Sequence, residues 1–181
     1  MIYFTSDFHL SHQNCLSYDD RPFKDIQKQE DQLIAMWNTV VRPADTVYHV
    51  GDFFWGYKTA LRVAPQLKGK IFCLKGNHDK SWWKPERVKR EIPNLTLIAD
   101  QIHVVKGLPD CPPIVLCHYP MRSWPHSAHG SWHLFGHTHK QLEPHGKSMC
   151  ICLNVNDYNL VSLDRAKDVL GTQESDLNAE H

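Results

Sequence analysis

The chain has 181 residues, 41% of them hydrophobic, with 20 basic and 20 acidic side chains and a formal net charge of zero. That length suits one domain with a sizeable core, and the apolar fraction excludes long disorder. Zero net charge weighs against gripping nucleic acid through a strong positive field, and no apolar run approaches the roughly 20 residues of a membrane span.

Residues 1–6 read as a strand, because Ile2, Tyr3, Phe4 and Thr5 all favour extended backbone. Asp7 comes too early, with no Lys or Arg before it, for a secretory leader. A cytoplasmic setting is therefore expected, with the six cysteines reduced. The polar loop from His12 to Phe23 is long enough to line a site. A helix is predicted over 25–41, where Ile26, Leu33, Ile34, Trp37 and Val41 recur at helical spacing. Asp25 suits its N-cap, and Pro43 stops the pattern. A strand over 46–50, a helix over 58–67 closed by Gly69, and a strand over 70–74 follow. Each of these three strands ends in a polar fragment, and the β-α-β-α-β order predicts a mostly parallel sheet. Pro85 opens a short helix. From Leu95 the texture changes to short strands at 95–98, 102–105, 114–117, 133–135 and 149–152, with a hairpin turn expected at Asp100-Gln101. These predict a second, more antiparallel sheet. A final helix is expected over 163–170, then a polar tail. The organisation expected is a single domain over 1–171 with a disordered tail over 172–181.

Five fragments follow apolar runs: Asp7-Phe8-His9, Gly51-Asp52, Gly76-Asn77-His78-Asp79, His118 and Gly136-His137-Thr138-His139. A single His or Asp after a strand is most economically a turn or cap residue. Together the fragments supply oxygen and imidazole donors of the kind that intermediate divalent metals prefer. The ordered set resembles the calcineurin-like metallophosphoesterase superfamily, whose blocks are D-x-H, G-D, G-N-H-D/E, H and G-H-x-H. The text around Arg21-Pro22-Phe23 and around residues 154–158 is similar to a small bacterial and phage branch of it.

The resemblance implies an α/β fold, a four-layer α/β/β/α sandwich of two mixed sheets. It implies two divalent ions, manganese first, with iron, zinc, nickel or cobalt also suited to these donors. Asp52 would bridge them, with Asp7, His9 and His139 completing one site and Asn77, His118 and His137 the other. His78 would serve the leaving oxygen as an acid, not bind metal. The reaction implied is hydrolysis of a small phosphodiester or phosphomonoester by a metal-bound hydroxide. Many members carry an Asp three residues after the Asp of the G-D block. Here that residue is Trp55, so what orients His78 is open, with Asp79 a candidate.

Outside the blocks, His12, Arg21 and Arg122 are candidate substrate-binding residues, each beside a ligand loop or within one. Trp82, Trp83 and Trp124 are candidates for a stacking wall or for core, and His49 for a structural role. Two rival readings stay open: a metal-dependent nuclease using the same site, and a non-catalytic metal-binding scaffold. A small phosphate ester is the favoured partner, nucleic acid the less favoured one, and no membrane is expected. The oligomeric state is not legible.

Overall fold

The computed structural model describes residues 1–174, so most of the tail expected over 172–181 lies outside the described residues. In chain order the elements are β1 (Ile2–Thr5), α1 (Cys15–Tyr18), α2 (Ile26–Val40), β2 (Thr46–His49), α3 (Tyr57–Val63), β3 (Lys70–Cys73), α4 (Pro85–Glu91), β4 (Leu95–Leu97), β5 (Ile102–Val105), β6 (Ile114–Cys117), β7 (Trp132–Phe135), β8 (Ser148–Cys150), β9 (Val161–Ser162) and α5 (Leu163–Leu170).

Two sheets result, ordered β4-β3-β2-β1-β9 and β5-β6-β7-β8. In the first, β1 to β4 run parallel and β9 pairs antiparallel with β1. Alternation gives it two buried faces. Tyr3, Val47, Ile71 and Cys73 join Leu33 and Trp37 of α2 and Ala60 and Val63 of α3 in one core. Phe4 joins Ile114 and Leu116 of β6 and Leu134 of β7 in a second core between the sheets, with Leu163, Ala166 and Leu170 of α5. This is the expected α/β sandwich of two mixed sheets. The outer side of β7 is met by Trp124, whose ring lies 5.2 Å from that of His133.

The local signals produce their elements by identifiable contacts. The Asp25 carboxylate accepts the Lys28 N–H and caps α2, while the Ser162 hydroxyl accepts the Arg165 N–H and caps α5. The helix expected over 58–67 stops at Val63 and tightens into a 3-10 turn over Ala64–Gln66. Pro65 lacks the N–H that would continue an α-helical ladder.

Two expectations are corrected. β4 belongs to the first sheet, parallel to β3, because α4 provides the crossover that a parallel pairing requires. Asp100-Gln101 therefore carries the chain from one sheet to the other and makes no hairpin. The second sheet is not mainly antiparallel: only β5–β6 is, while β6–β7 and β7–β8 are parallel. All six cysteines are free. No helix among the described residues is long and apolar enough to cross a membrane.

Candidate metal centre

The register of the parallel strands gathers the five fragments. Thr5 pairs with His49 and His49 with Cys73, so the chain leaves three neighbouring strands at one edge. Cys117 pairs with Phe135 in the second sheet, bringing His118 beside the Gly136 loop. The loops then zip together: Asp7 N–H donates to Gly51 O at 3.0 Å, His9 N–H to Asp52 O at 3.0 Å and Gly136 N–H to His118 O at 3.0 Å. This is the carboxyl edge of strands, where α/β folds place ligands.

The backbone is bent sharply to achieve it. Asp7, His9, Asp52, His137 and His139 all have positive φ, between 50° and 72°. Such conformations are unfavourable for side-chain-bearing residues and persist where surroundings over-determine them. Two glycines permit the close approach. A Cβ on Gly76 would stand 2.1 Å from Asp52 Oδ1, and one on Gly136 would stand 2.5 Å from Asp7 Oδ2.

All seven expected ligands converge. Asp7, His9 and His139 offer atoms within 4.8 Å of one another, and so do Asp7, Asp52 and His118. His9 Nε2 and His139 Nε2 approach to 3.1 Å. Asn77 Oδ1 lies 2.8 Å from His118 Nε2 and 3.0 Å from His137 Nδ1. Asp52 Oδ2 stands between the two groups, 3.5 Å from His118 Nε2 and 3.8 Å from His9 Nε2.

The electrostatics ask for positive charge. Burial raises the Asp52 carboxyl to about 7, with Asp7 and Asp79 adding to the rise against His118. Burial also acts to raise Asp7, but His139, His118 and His9 outweigh it and hold it far below the usual carboxylate range. Burial lowers His9 to about 3, which keeps its imidazole neutral. His139 is raised to about 9, because its contacts with Asp19 and Asp7 outweigh its burial. Asp7 Oδ1 is buried with no hydrogen-bond partner, facing His139 Nε2 at 3.3 Å. A bare carboxylate oxygen so placed, in a buried cluster of carboxylates and imidazoles, fits a divalent cation.

A second ring of contacts orients these donors. Asp7 Oδ2 accepts the His137 N–H at 3.0 Å and the Cys152 thiol at 3.2 Å, which leaves Oδ1 to face the cluster. The Val50 carbonyl lies 2.9 Å from His118 Nδ1 and directs Nε2 inward. Asp19 Oδ2 does the same for His139, at 2.7 Å from Nδ1. Asn154 donates to the His139 carbonyl at 2.7 Å. Asp19 and Cys152 were not among the candidates expected. Asp19 sits in the flagged loop, and the Cys150-Ile151-Cys152 alternation carried no sign of its partner.

Asp79 does not orient His78. It is fully buried and turned inward, accepting from Asp52 N, Phe53 N, Gly76 N and Trp82 Nε1. His78 is exposed at the rim, its backbone N–H on Asp52 Oδ1 at 2.8 Å. Its ring neighbours are His9 at 5.4 Å, His12 at 5.8 Å and Trp55 at 5.9 Å. His12 lies flat on Trp55, with centroids 3.8 Å apart and planes 3° apart. Trp55, at the position where the resemblance implies an acid, thus builds an aromatic wall beside His78.

Arg21 is corrected as a substrate-binding candidate. It is 5% exposed, and its guanidinium donates to Phe8 O at 2.9 Å, Asp7 O at 2.8 Å and Asp19 Oδ2 at 3.1 Å. It braces the first ligand loop. Arg122 is exposed, and among the described residues no hydrogen bond or ion pair joins its guanidinium to the cluster. Trp82 and Trp124 are core residues, while Trp83 is half-buried. His49 is fully buried, stacked on Phe53 at 3.7 Å, in keeping with a structural role.

Comparison with known proteins bears on this geometry. Residues 1–141 match the family model described as calcineurin-like phosphoesterase. An uncharacterized protein of Methanocaldococcus jannaschii, MJ1445, is 30% identical over 173 residues, covering 90% of this chain and 87% of its own. The crystal structure of AQ665 from Aquifex aeolicus, a protein of unknown function, is similar with a TM-score of 0.69 at 25% identity, covering 93% of this chain and 98% of that one. An archaeal phosphodiesterase shares the fold at a TM-score of 0.52 and 18% identity, over 85% of this chain and 83% of that one. With the family model matched over most of its length, the chain belongs to the calcineurin-like phosphoesterase family.

Proposed function

We propose that the protein is a phosphoesterase that works with two divalent ions and hydrolyses small phosphate esters. The observation that carries the two-ion reading is the position of Asp52, whose Oδ2 lies between His118 Nε2 at 3.5 Å and His9 Nε2 at 3.8 Å. One carboxylate facing two donor sets is what a bridging ligand requires. Asp7, His9 and His139 would hold one ion, and Asn77, His118 and His137 the other. Manganese, iron, cobalt, nickel and zinc all suit this donor set. Such ions supply Lewis acidity at phosphate oxygens and favour a nucleophile near neutral pH.

The chain's own residues do the rest. The neutral Asn77 amide keeps the cluster from becoming too anionic to admit a phosphate. His78 stands exposed at the rim, where its ring can give a proton to a departing alkoxide. The His12–Trp55 stack restricts that ring on one side and makes His12 a wall of the site. An exposed imidazole at this point also favours an enzyme over a metal-binding scaffold.

Metal analysis and a panel of phosphomonoesters, phosphodiesters and plasmid DNA test the proposal. Wild type is expected to hold two ions per chain and to cleave a small chromogenic phosphodiester with manganese present. Asp52→Asn should lose metal and nearly all turnover while keeping its fold. His78→Ala should keep both ions and slow hydrolysis roughly 10²–10⁴-fold, least for esters with good leaving groups. Full metal content and rate in Asp52→Asn would refute the bridge. Steeply salt-dependent cutting of plasmid DNA would replace this reading with the nuclease one.

A further inference from the structure

Resting on the phosphoesterase reading, we propose that the cleft lined by Lys75, Lys80, Trp83 and Tyr119 is a substrate subsite for a nucleotide-type group bearing a second phosphate.

The cleft has a volume of about 400 Å³, and Asn77 and His118, two of the ligands, form part of its wall. That volume lies in the range of small-molecule sites, roughly 300–1,000 Å³. It opens directly off the metal centre, so a substrate with one phosphate on the ions can extend another part into it. His78 lines a different and smaller cavity of about 130 Å³, with His9, His12, Asp19 and His139. The two arms of a diester therefore meet unlike surroundings. One faces the His78 rim and the other faces the cleft.

The lining has a definite chemistry. Lys75 and Lys80 flank the Gly76–Asp79 block on either side, and both are exposed. Among the described residues neither ammonium is in an ion pair, and no Asp or Glu lines the cleft. In a chain of zero net charge that is a local excess of positive charge, suited to an anion beyond the one on the ions. Two rings accompany the lysines. Trp83 is half-buried, held against Trp82 at 5.5 Å, and Lys75 Nζ lies 5.9 Å from its centroid. Trp82 is itself anchored, its indole N–H donating to Asp79 at 2.6 Å. Tyr119 is 44% exposed and packs edge-on to His137 at 4.7 Å and His118 at 5.1 Å. Fixed aromatic surfaces beside unpaired ammonium groups accept a base-like ring with a phosphate close by. A group with only one of these features would leave half of the lining unused.

Isothermal titration of the metal-loaded protein with adenosine 3′,5′-bisphosphate and with adenosine 5′-monophosphate tests this. The bisphosphate is expected to bind at least tenfold tighter than the monophosphate. The preference should vanish in Lys75→Ala/Lys80→Ala, whose thermal midpoint should match wild type because both side chains are exposed. Trp83→Leu should weaken both ligands. Equal binding of the two nucleotides by wild type, or an unchanged preference in the double variant, would overturn the subsite. A separate assay of wild type on bis(4-nitrophenyl) phosphate distinguishes the two claims. No hydrolysis of this diester or of 4-nitrophenyl phosphate, with the binding preference intact, would sink the phosphoesterase reading and leave the nucleotide-binding cleft standing.

Discussion

Asp79 lies beneath the candidate metal centre and binds its loops only through backbone N–H groups and Trp82, so replacing it tests how those loops are held. Its carboxylate is fully buried and accepts four hydrogen bonds, two on each oxygen. Oδ2 takes Asp52 N–H at 2.8 Å and Gly76 N–H at 2.7 Å, and Oδ1 takes Phe53 N–H at 3.0 Å and Trp82 Nε1–H at 2.6 Å. In Asp79→Asn one oxygen becomes an amide nitrogen with no lone pair to offer. Whichever way the amide turns, two donors are left facing it. Each buried orphan costs roughly 1–3 kcal/mol, so the variant should lose roughly 2–6 kcal/mol. Against a typical total of roughly 5–15 kcal/mol that is a large fraction. At this chain length it corresponds to a fall in Tm of roughly 4–24 °C. Asp79→Leu orphans all four donors and should lose more.

Urea unfolding followed by tryptophan fluorescence measures the loss, with an unchanged slope confirming that the folded state is comparable. Metal content should fall in parallel, because Asp52 and Gly76 both hang from this carboxylate. A shift of about 1 Å in such a loop is enough for roughly 10²-fold in rate. If Asp79 instead served His78, as its place in the sequence suggests, Asp79→Asn would lower turnover and leave stability alone. A midpoint within about 1 kcal/mol of wild type would refute the argument from the four donors.

Two other expectations follow from single contacts. Asp19→Ala removes the acceptor at His139 Nδ1 and should weaken metal binding roughly 10–100-fold, measured by competition with a chelator; unchanged affinity would deny Asp19 its orienting role. His133 is buried, its Nδ1–H on the Val115 carbonyl and its Nε2 accepting the Met121 N–H, and burial holds it at about 4. Above about pH 6.5 the ring is neutral folded or unfolded; below it only the unfolded chain takes the proton, so stability should fall by up to roughly 3 kcal/mol as pH drops toward 4. Urea midpoints at pH 7, 5.5 and 4.5 should show a smaller acid loss for His133→Gln than for wild type, and equal losses would discard the argument.

What the sequence reveals of the fold depends on how local the determinant is. Helix α2 is legible because cap, apolar spacing and stop all lie within one stretch, at Asp25, Leu33, Trp37 and Pro43. The end of α3 is set just as locally, by Pro65, although the expected helix ran past it to residue 67. The placement of β4 was not. Leu95-Thr96-Leu97 reads the same in either sheet, and only the crossover through α4 puts it beside β3. The direction of β7 and β8 is hidden for the same reason, since loops of irregular backbone return the chain where a hairpin would otherwise be assumed.

In the site, the seven candidate donors stand out in the sequence because metal ligation would restrict residue type, and a restricted type in a fixed order leaves a pattern. The residues that aim those donors are not restricted in that way. A backbone carbonyl at Val50, a carboxylate at Asp19 and a thiol at Cys152 perform the same task for His118, His139 and Asp7. Any acceptor or donor of suitable reach would serve, so no motif marks them. Charge misled in a related way at Arg21, where proximity to a ligand loop suggested a phosphate contact. The loop's own carbonyls, from Asp7 and Phe8, needed donors because Asp7 and His9 take positive φ and leave the strand ladder. A buried guanidinium with several N–H groups in a fixed fork meets that need, and it is therefore used inside the protein rather than on a substrate. The lysines at 75 and 80 differ in that, among the described residues, neither ammonium is held in an ion pair and no Asp or Glu lines their cleft. Their charge is left to whatever enters the cleft, which is why they and not Arg21 carry the expectation of a second phosphate.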